Sequence, residues 1–154
     1  MGLLLRGLLV VAVSCSAGCG GLRHTMGEEE YLRQRLYDYA YIVPLDTLWE
    51  EAKLLAESVR DESRTEDGVR TAVVSLRRGL RGDETSLDEL FMRGWEEGGR
   101  SYVKFFAVGH GLAAHPYDIG VREVNAELDL LARFAPADAA RFREGARRAG
   151  QRAR

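Results

Sequence analysis

An uncharged apolar run at the start of the chain decides how much of it is available to build a fold. Arg6 is the only charged side chain among the first eighteen residues. Gly7 to Val13 carry no charge, and small or uncharged residues extend the run to Gly18. Even counted to Gly18 it is shorter than the roughly 20 apolar residues that cross a bilayer. A basic start, an apolar middle and small residues before a cut are the three parts of a secretory signal. Gly20, Gly21, Arg23, His24 and the acidic Glu28-Glu29-Glu30 end the hydrophobicity abruptly. Residues 1–18 are therefore expected to be removed, and the globular part must come from residue 19 onward.

The cysteine directly after the small residues makes the signal more specific. Ser16-Ala17-Gly18-Cys19 resembles the lipobox of bacterial lipoproteins, in which small residues before the cysteine let the peptidase approach the backbone. The resemblance implies that a diacylglyceryl group joins the Cys19 thiol, that the chain is cut before Cys19, and that the new amine is acylated, with palmitate among the chains. Ser16 stands where such boxes usually carry Leu or another bulky aliphatic residue. Ala12-Val13-Ser14-Cys15 is an alternative box that leaves a shorter apolar core after Arg6, so Cys19 is preferred over Cys15. Two or more acyl chains hold a protein firmly, because each buried methylene contributes about 0.8 kcal/mol. In the same family an Asp after the cysteine retains the protein at the inner membrane. Here the cysteine is succeeded by Gly20 and Gly21, which implies the outer membrane, facing the periplasm. With Cys15 removed and Cys19 acylated no free thiol remains, as suits an oxidising compartment.

Charge excludes one class of partner. The 154 residues carry 22 basic and 24 acidic side chains, a net of -2, and loss of Arg6 leaves 21 against 24, or -3. Nothing in that balance calls for nucleic acid. The length after the signal suits one domain with a modest core. It is expected over residues 36–150, behind a lipidated tether at 19–35 that opens on Gly20-Gly21.

Hydrophobic periodicity gives the elements. Residues 28–35 read as a short helix. Residues 36–43, Leu-Tyr-Asp-Tyr-Ala-Tyr-Ile-Val, are aromatic and β-branched, and predict a strand with Tyr37, Tyr39 and Tyr41 on one face. Pro44 then opens a helix, with Leu45, Leu48, Trp49, Ala52, Leu55, Ala56 and Val59 as its apolar stripe. Residues 60–68 read as charged loop, and 69–77 alternate as a strand. Ser86 and Glu89 form a capping-box pattern, yet Gly94 and the turn at Glu97-Gly98-Gly99 favour a hairpin between residues 91–95 and 101–108. Val121, Val124, Leu128, Leu131 and Ala135 mark another helix. Pro136 interrupts it, and a last helix runs from Asp138 to about Ala149. Six arginines between Arg141 and Arg154 face a single Glu144, the composition of a solvated terminus or of a surface for a polyanion.

The predicted class is α+β: a small antiparallel sheet packed by one long amphipathic helix, with C-terminal helices. Tyr39-Ala40-Tyr41-Ile42-Val43-Pro44-Leu45-Asp46-Thr47-Leu48-Trp49, within residues 36–60, resembles the strand-to-helix junction of small α+β envelope lipoproteins, which implies a fold and no activity. There is no Gly-rich phosphate loop, no nucleophile elbow and no paired-carboxylate motif. The expectation is a non-catalytic envelope lipoprotein without cofactor, whose partners are the bilayer, through acylated Cys19, and an envelope protein. The alternative is a small ligand- or metal-binding module that uses the tyrosine face or the loop holding His110, His115 and Asp118, a set with the donor types of an open metal site but no defined spacing.

Overall fold

A computed structural model describes residues 21–79, 85–107 and 121–153. Along them run α1 (residues 21–36), α2 (Leu45–Lys53), β1 (Ser58–Arg64), β2 (Arg70–Gly79), β3 (Thr85–Glu97), β4 (Arg100–Ala107), α3 (Val124–Phe134) and α4 (Pro136–Arg152). The four strands form one antiparallel sheet in the order β1-β2-β3-β4. The α+β class is as the periodicity predicts. The chain divides into two compact units, one holding residues 21–35 and 140–153 and the other Leu36–Ala139.

In the larger unit, strand alternation sorts side chains by face. Ala72, Met92 and Phe105 pair across β2, β3 and β4 in one row, and Val74 and Leu90 pair in the next. All five are buried, with Val103, beneath Leu45, Leu48, Trp49 and Ala52 of α2 and Leu128, Leu130 and Leu131 of α3. Gly94 lies on this face where α2 comes closest. A Cβ there would stand 2.9 Å from the Trp49 ring, so glycine is what lets the indole seat on the sheet. The opposite face carries Phe91, Arg93, Trp95 and Tyr102, all half-buried. Trp95 and Tyr102 stack with centroids 5.1 Å apart, and the Arg93 guanidinium lies 5.7 Å from the Trp95 ring centre.

The β3–β4 hairpin forms as expected, and β3 extends over the whole ambiguous stretch from Thr85. Its turn is Gly98-Gly99, with φ of 58° and 74°. Positive φ at both positions is what a two-residue type I′ turn demands.

Three expectations fail for physical reasons. Residues 36–43 are not a strand. Leu36 closes α1, a turn comes next at 37–38, and Tyr41 makes only an isolated bridge to Ser101. Tyr37 is exposed and Tyr41 buried, so no tyrosine face exists. Helix α2 ends at Lys53, because the next residues leave to pair with β2, beginning with Glu57 N–H to the Ser75 carbonyl at 2.9 Å. Residues 58–64 then form β1 rather than a loop, an edge strand with every residue exposed. Its charges and its bulge between Arg60 and Ser63, where Asp61 takes φ 54°, protect an edge that would otherwise template aggregation. The other edge, on β4, is met by Tyr41 and by the segment before α3.

The smaller unit is a pair of antiparallel helical segments. Gly27 of α1 faces Ala149 and Gly150 of α4 and Ala153 just beyond it, and Tyr31 faces Gly145. Leu32, Phe142 and Ala146 are buried there. A side chain at Gly145 would run into the Tyr31 ring, so the close approach depends on small residues. Helix α1 replaces the expected tether from Gly21 onward.

Candidate functional site

Among the described residues the most deeply buried ionisable group is Glu127 in α3, at 2 % exposure. It falls three residues after Val124 on the inward face of that helix, so packing carries it into the core. Two cations meet it. Arg122 approaches from the segment before α3, with Nε 3.0 Å from Oε1 and an Nη2 contact to Oε2. Lys104 approaches from the middle of β4, with Nζ 3.4 Å from Oε2. Both cations also donate to the main-chain carbonyl of Leu36, Arg122 at 3.0 Å. That carbonyl ends α1, where besides the two cations it accepts only the Tyr39 N–H of the following turn at 3.4 Å.

Geometry sets the electrostatics. Burial pushes the Lys104 ammonium below the usual lysine range, Glu127 opposes that, and Arg122 adds to it. Burial also pushes the Tyr41 hydroxyl well above the ordinary tyrosine value, with Glu127 and Tyr39 adding to the effect. Tyr41 therefore stays protonated. Its ring meets Tyr39 edge-on at 5.2 Å and Phe134 at 5.6 Å, while the Tyr39 hydroxyl donates to Asp138 at 3.0 Å. Every buried side-chain nitrogen and oxygen among the described residues has a partner. The cluster works as a clamp: its donors are turned toward fixed acceptors, an arrangement that holds structure rather than presenting a nucleophile or base.

A second cluster ties β1 to α2. The Trp49 indole N–H donates to Glu62 at 2.7 Å, and Lys53 reaches the other carboxylate oxygen at 3.3 Å. The bulge at Asp61 is what turns Glu62 toward the helix. Arg70 closes the group, pairing with Asp46 and lying 5.9 Å from the Trp49 ring centre.

A shallow cleft of about 200 Å³ opens between the sheet and the start of α3. It is lined by Leu76, Leu90 and Ala126 together with Arg77, Asn125 and the carboxylates of Asp88, Glu123 and Asp129. The three carboxylates have interactions of their own.

The sequence pointed elsewhere. Cys19 and Cys15 lie outside the described residues, as do His110, His115 and Asp118. Among the described residues no group of three or more His, Cys, Asp or Glu is arranged to hold a metal ion. No described helix is long and apolar enough to cross a membrane. The clamp was readable in principle, since Lys104 interrupts the apolar Tyr102-Val103-Lys104-Phe105-Phe106 and Glu127 sits on the apolar face of its helix. A charge in such a place requires a partner of opposite sign. Comparison with protein families, with characterised proteins and with solved structures finds no match for this chain.

Proposed function

We propose that this chain is a bacterial envelope lipoprotein, anchored through acylated Cys19 to the periplasmic face of the outer membrane, with a non-catalytic structural or interaction role. One observation carries the reading: an uncharged apolar run after Arg6 ends in Ser16-Ala17-Gly18-Cys19. The pairing of charge in the folded body supports the structural part of this reading alone. Lys104, Arg122 and Glu127 are spent on one another and on the Leu36 carbonyl, and Glu62 is spent on Trp49 and Lys53.

Radiolabelled palmitate supplied to a bacterial host tests the anchor. Wild-type chain takes up label and the Cys19→Ala variant does not. Equal labelling of both rejects Cys19, and loss of label in Cys15→Ala alone moves the anchor to the earlier box.

A further inference from the structure

The turn between β1 and β2 holds the one Asp-Gly sequence of the chain, Asp67-Gly68. There is no Asn-Gly, since the single asparagine, Asn125, is followed by Ala126. Asp-Gly is the aspartyl sequence most prone to cyclise, because glycine has no side chain to keep its amide nitrogen from the neighbouring carboxyl carbon. Cyclisation needs a free Gly68 nitrogen and a mobile Asp67 side chain. It also needs the protonated carboxyl, whose hydroxyl can leave as water. Thr65 works against all three. Gly68 N–H donates to the Thr65 carbonyl at 3.0 Å, closing a β-turn over Glu66-Asp67. Gly68 takes φ 83°, and Thr65 N–H donates to the Val69 carbonyl at 2.8 Å, the pattern of a three-residue hairpin loop that ends in a left-handed glycine. The Thr65 hydroxyl has one proton and two acceptors near it, Asp67 Oδ1 at 2.6 Å and the Val69 carbonyl at 3.2 Å. The nearer takes the proton, while Val69 N–H donates to the hydroxyl oxygen at 3.1 Å. That bond from Thr65 holds the Asp67 carboxyl below the usual aspartate range; its own backbone N–H adds to this, desolvation opposes it, and the charge of Arg93 adds a little more. Less of the reactive protonated form is then present at neutral pH.

We infer that Asp67 is a site of spontaneous covalent modification, to isoaspartate, and that the Thr65 hydroxyl sets its rate. In the first step the Gly68 nitrogen loses its proton and bonds to the side-chain carboxyl carbon of Asp67. The carboxyl hydroxyl leaves as water, and a succinimide ring remains. Water then adds to one of the two ring carbonyls and breaks its bond to nitrogen. Opening at the side-chain carbonyl restores aspartate. Opening at the main-chain carbonyl leaves the chain running through the side-chain methylene, which is isoaspartate, with no net change of mass. The product puts an extra backbone atom into a loop whose length sets the register of β1 on β2. Glu62, the partner of the Trp49 indole, sits in that same strand. Slow closure of the ring therefore protects both the bulged edge of the sheet and its tie to α2.

The test ages the full chain at neutral pH, native and urea-unfolded, beside Thr65→Val and Thr65→Ser. Trypsin cuts after Arg64 and Arg70 and releases residues 65–70 as one peptide. Electron-transfer fragmentation separates its aspartyl and isoaspartyl forms, and tryptophan fluorescence reports whether each variant is folded. Native wild type and Thr65→Ser, which keeps the hydroxyl, are expected to accumulate isoaspartate slowly. Thr65→Val should do so about five-fold faster, the factor for one net hydrogen bond, and the unfolded chain faster again. In acid, where the carboxyl is protonated with or without Thr65, the gap between Thr65→Val and wild type should narrow; a turn that was merely looser would keep it. Equal rates for native and unfolded wild type, or for wild type and folded Thr65→Val, overturn the proposal. Should Thr65→Val fail to fold, carbon NMR titration of Asp67 in the wild type decides: a carboxyl below the ordinary aspartate value supports the role of Thr65, and an ordinary value overturns it.

Discussion

Glu127 meets two cations, and that stoichiometry decides how the clamp responds to mutation. Glu127→Ala removes the shared anion and leaves Lys104 and Arg122 facing each other in a buried site. Breaking a buried pair by removing one partner costs about 3–5 kcal/mol. Lys104→Met instead leaves the Arg122–Glu127 pair with both its contacts and replaces an ammonium that burial already disfavours. Urea denaturation should therefore show a large loss of stability for Glu127→Ala and a small change of either sign for Lys104→Met. Equal losses would mean that Lys104 is as necessary to the cluster as Glu127, and would reject Glu127 as its centre. Glu62 gives the matching prediction in pH. The hydrogen bond from Trp49 holds its carboxyl below the usual carboxylate range, burial opposes this, and Lys53 reinforces it. A folded-state value below the unfolded one contributes stability above the unfolded value and loses it as pH falls through the folded value. Stability should drop across the acid range, and Glu62→Gln should remove part of that dependence. Glu62 is 42 % exposed, so solvent screens the effect and keeps it modest. Trp49 fluorescence in a Trp95→Phe background reports it, and an identical acid profile for wild type and Glu62→Gln would exclude the pairing.

Elements were legible where a residue's own neighbours decide its conformation. The β3–β4 hairpin needed only Gly98-Gly99 between apolar arms, and Pro136 divides α3 from α4 because it suits a first helical position and no interior one. Strand β1 had no such signal. Ser58-Val59-Arg60-Asp61-Glu62-Ser63-Arg64 buries nothing, and it is a strand because the edge of β2 offers hydrogen bonds. The tyrosines misled in the opposite sense. Period-two aromatics predict a half-buried strand, but Leu36 is wanted at the end of α1, where its carbonyl receives Lys104 and Arg122. That demand comes from residues 68 and 86 positions away, beyond any local window. The same holds for α2, whose apolar stripe continues past Lys53 while the chain itself departs to reach Ser75. The clamp combines both kinds of information. Its charges on apolar faces were visible in the sequence, and their meeting was not.

At the scale of the whole molecule, address and body are written in different parts of the chain. The body owes its stability to the sheet, α2 and α3, and none of those residues specifies a membrane. In the proposed lipoprotein reading the address depends on residues 1–21, and within them on two features that act separately: Cys19 as the acylated atom and Gly20-Gly21 as the sorting context. The lipoprotein resemblance implies that an Asp directly after the cysteine retains a protein at the inner membrane. Gly20→Asp should then leave palmitate labelling unchanged and move the labelled chain from the outer- to the inner-membrane fraction of a density gradient. Fold stability should not change, because the buried core of the described residues begins at Leu32 and the change adds a single carboxylate. Labelled Gly20→Asp chain that stays in the outer-membrane fraction would show that Gly20 does not set the destination, while leaving Cys19 as the anchor.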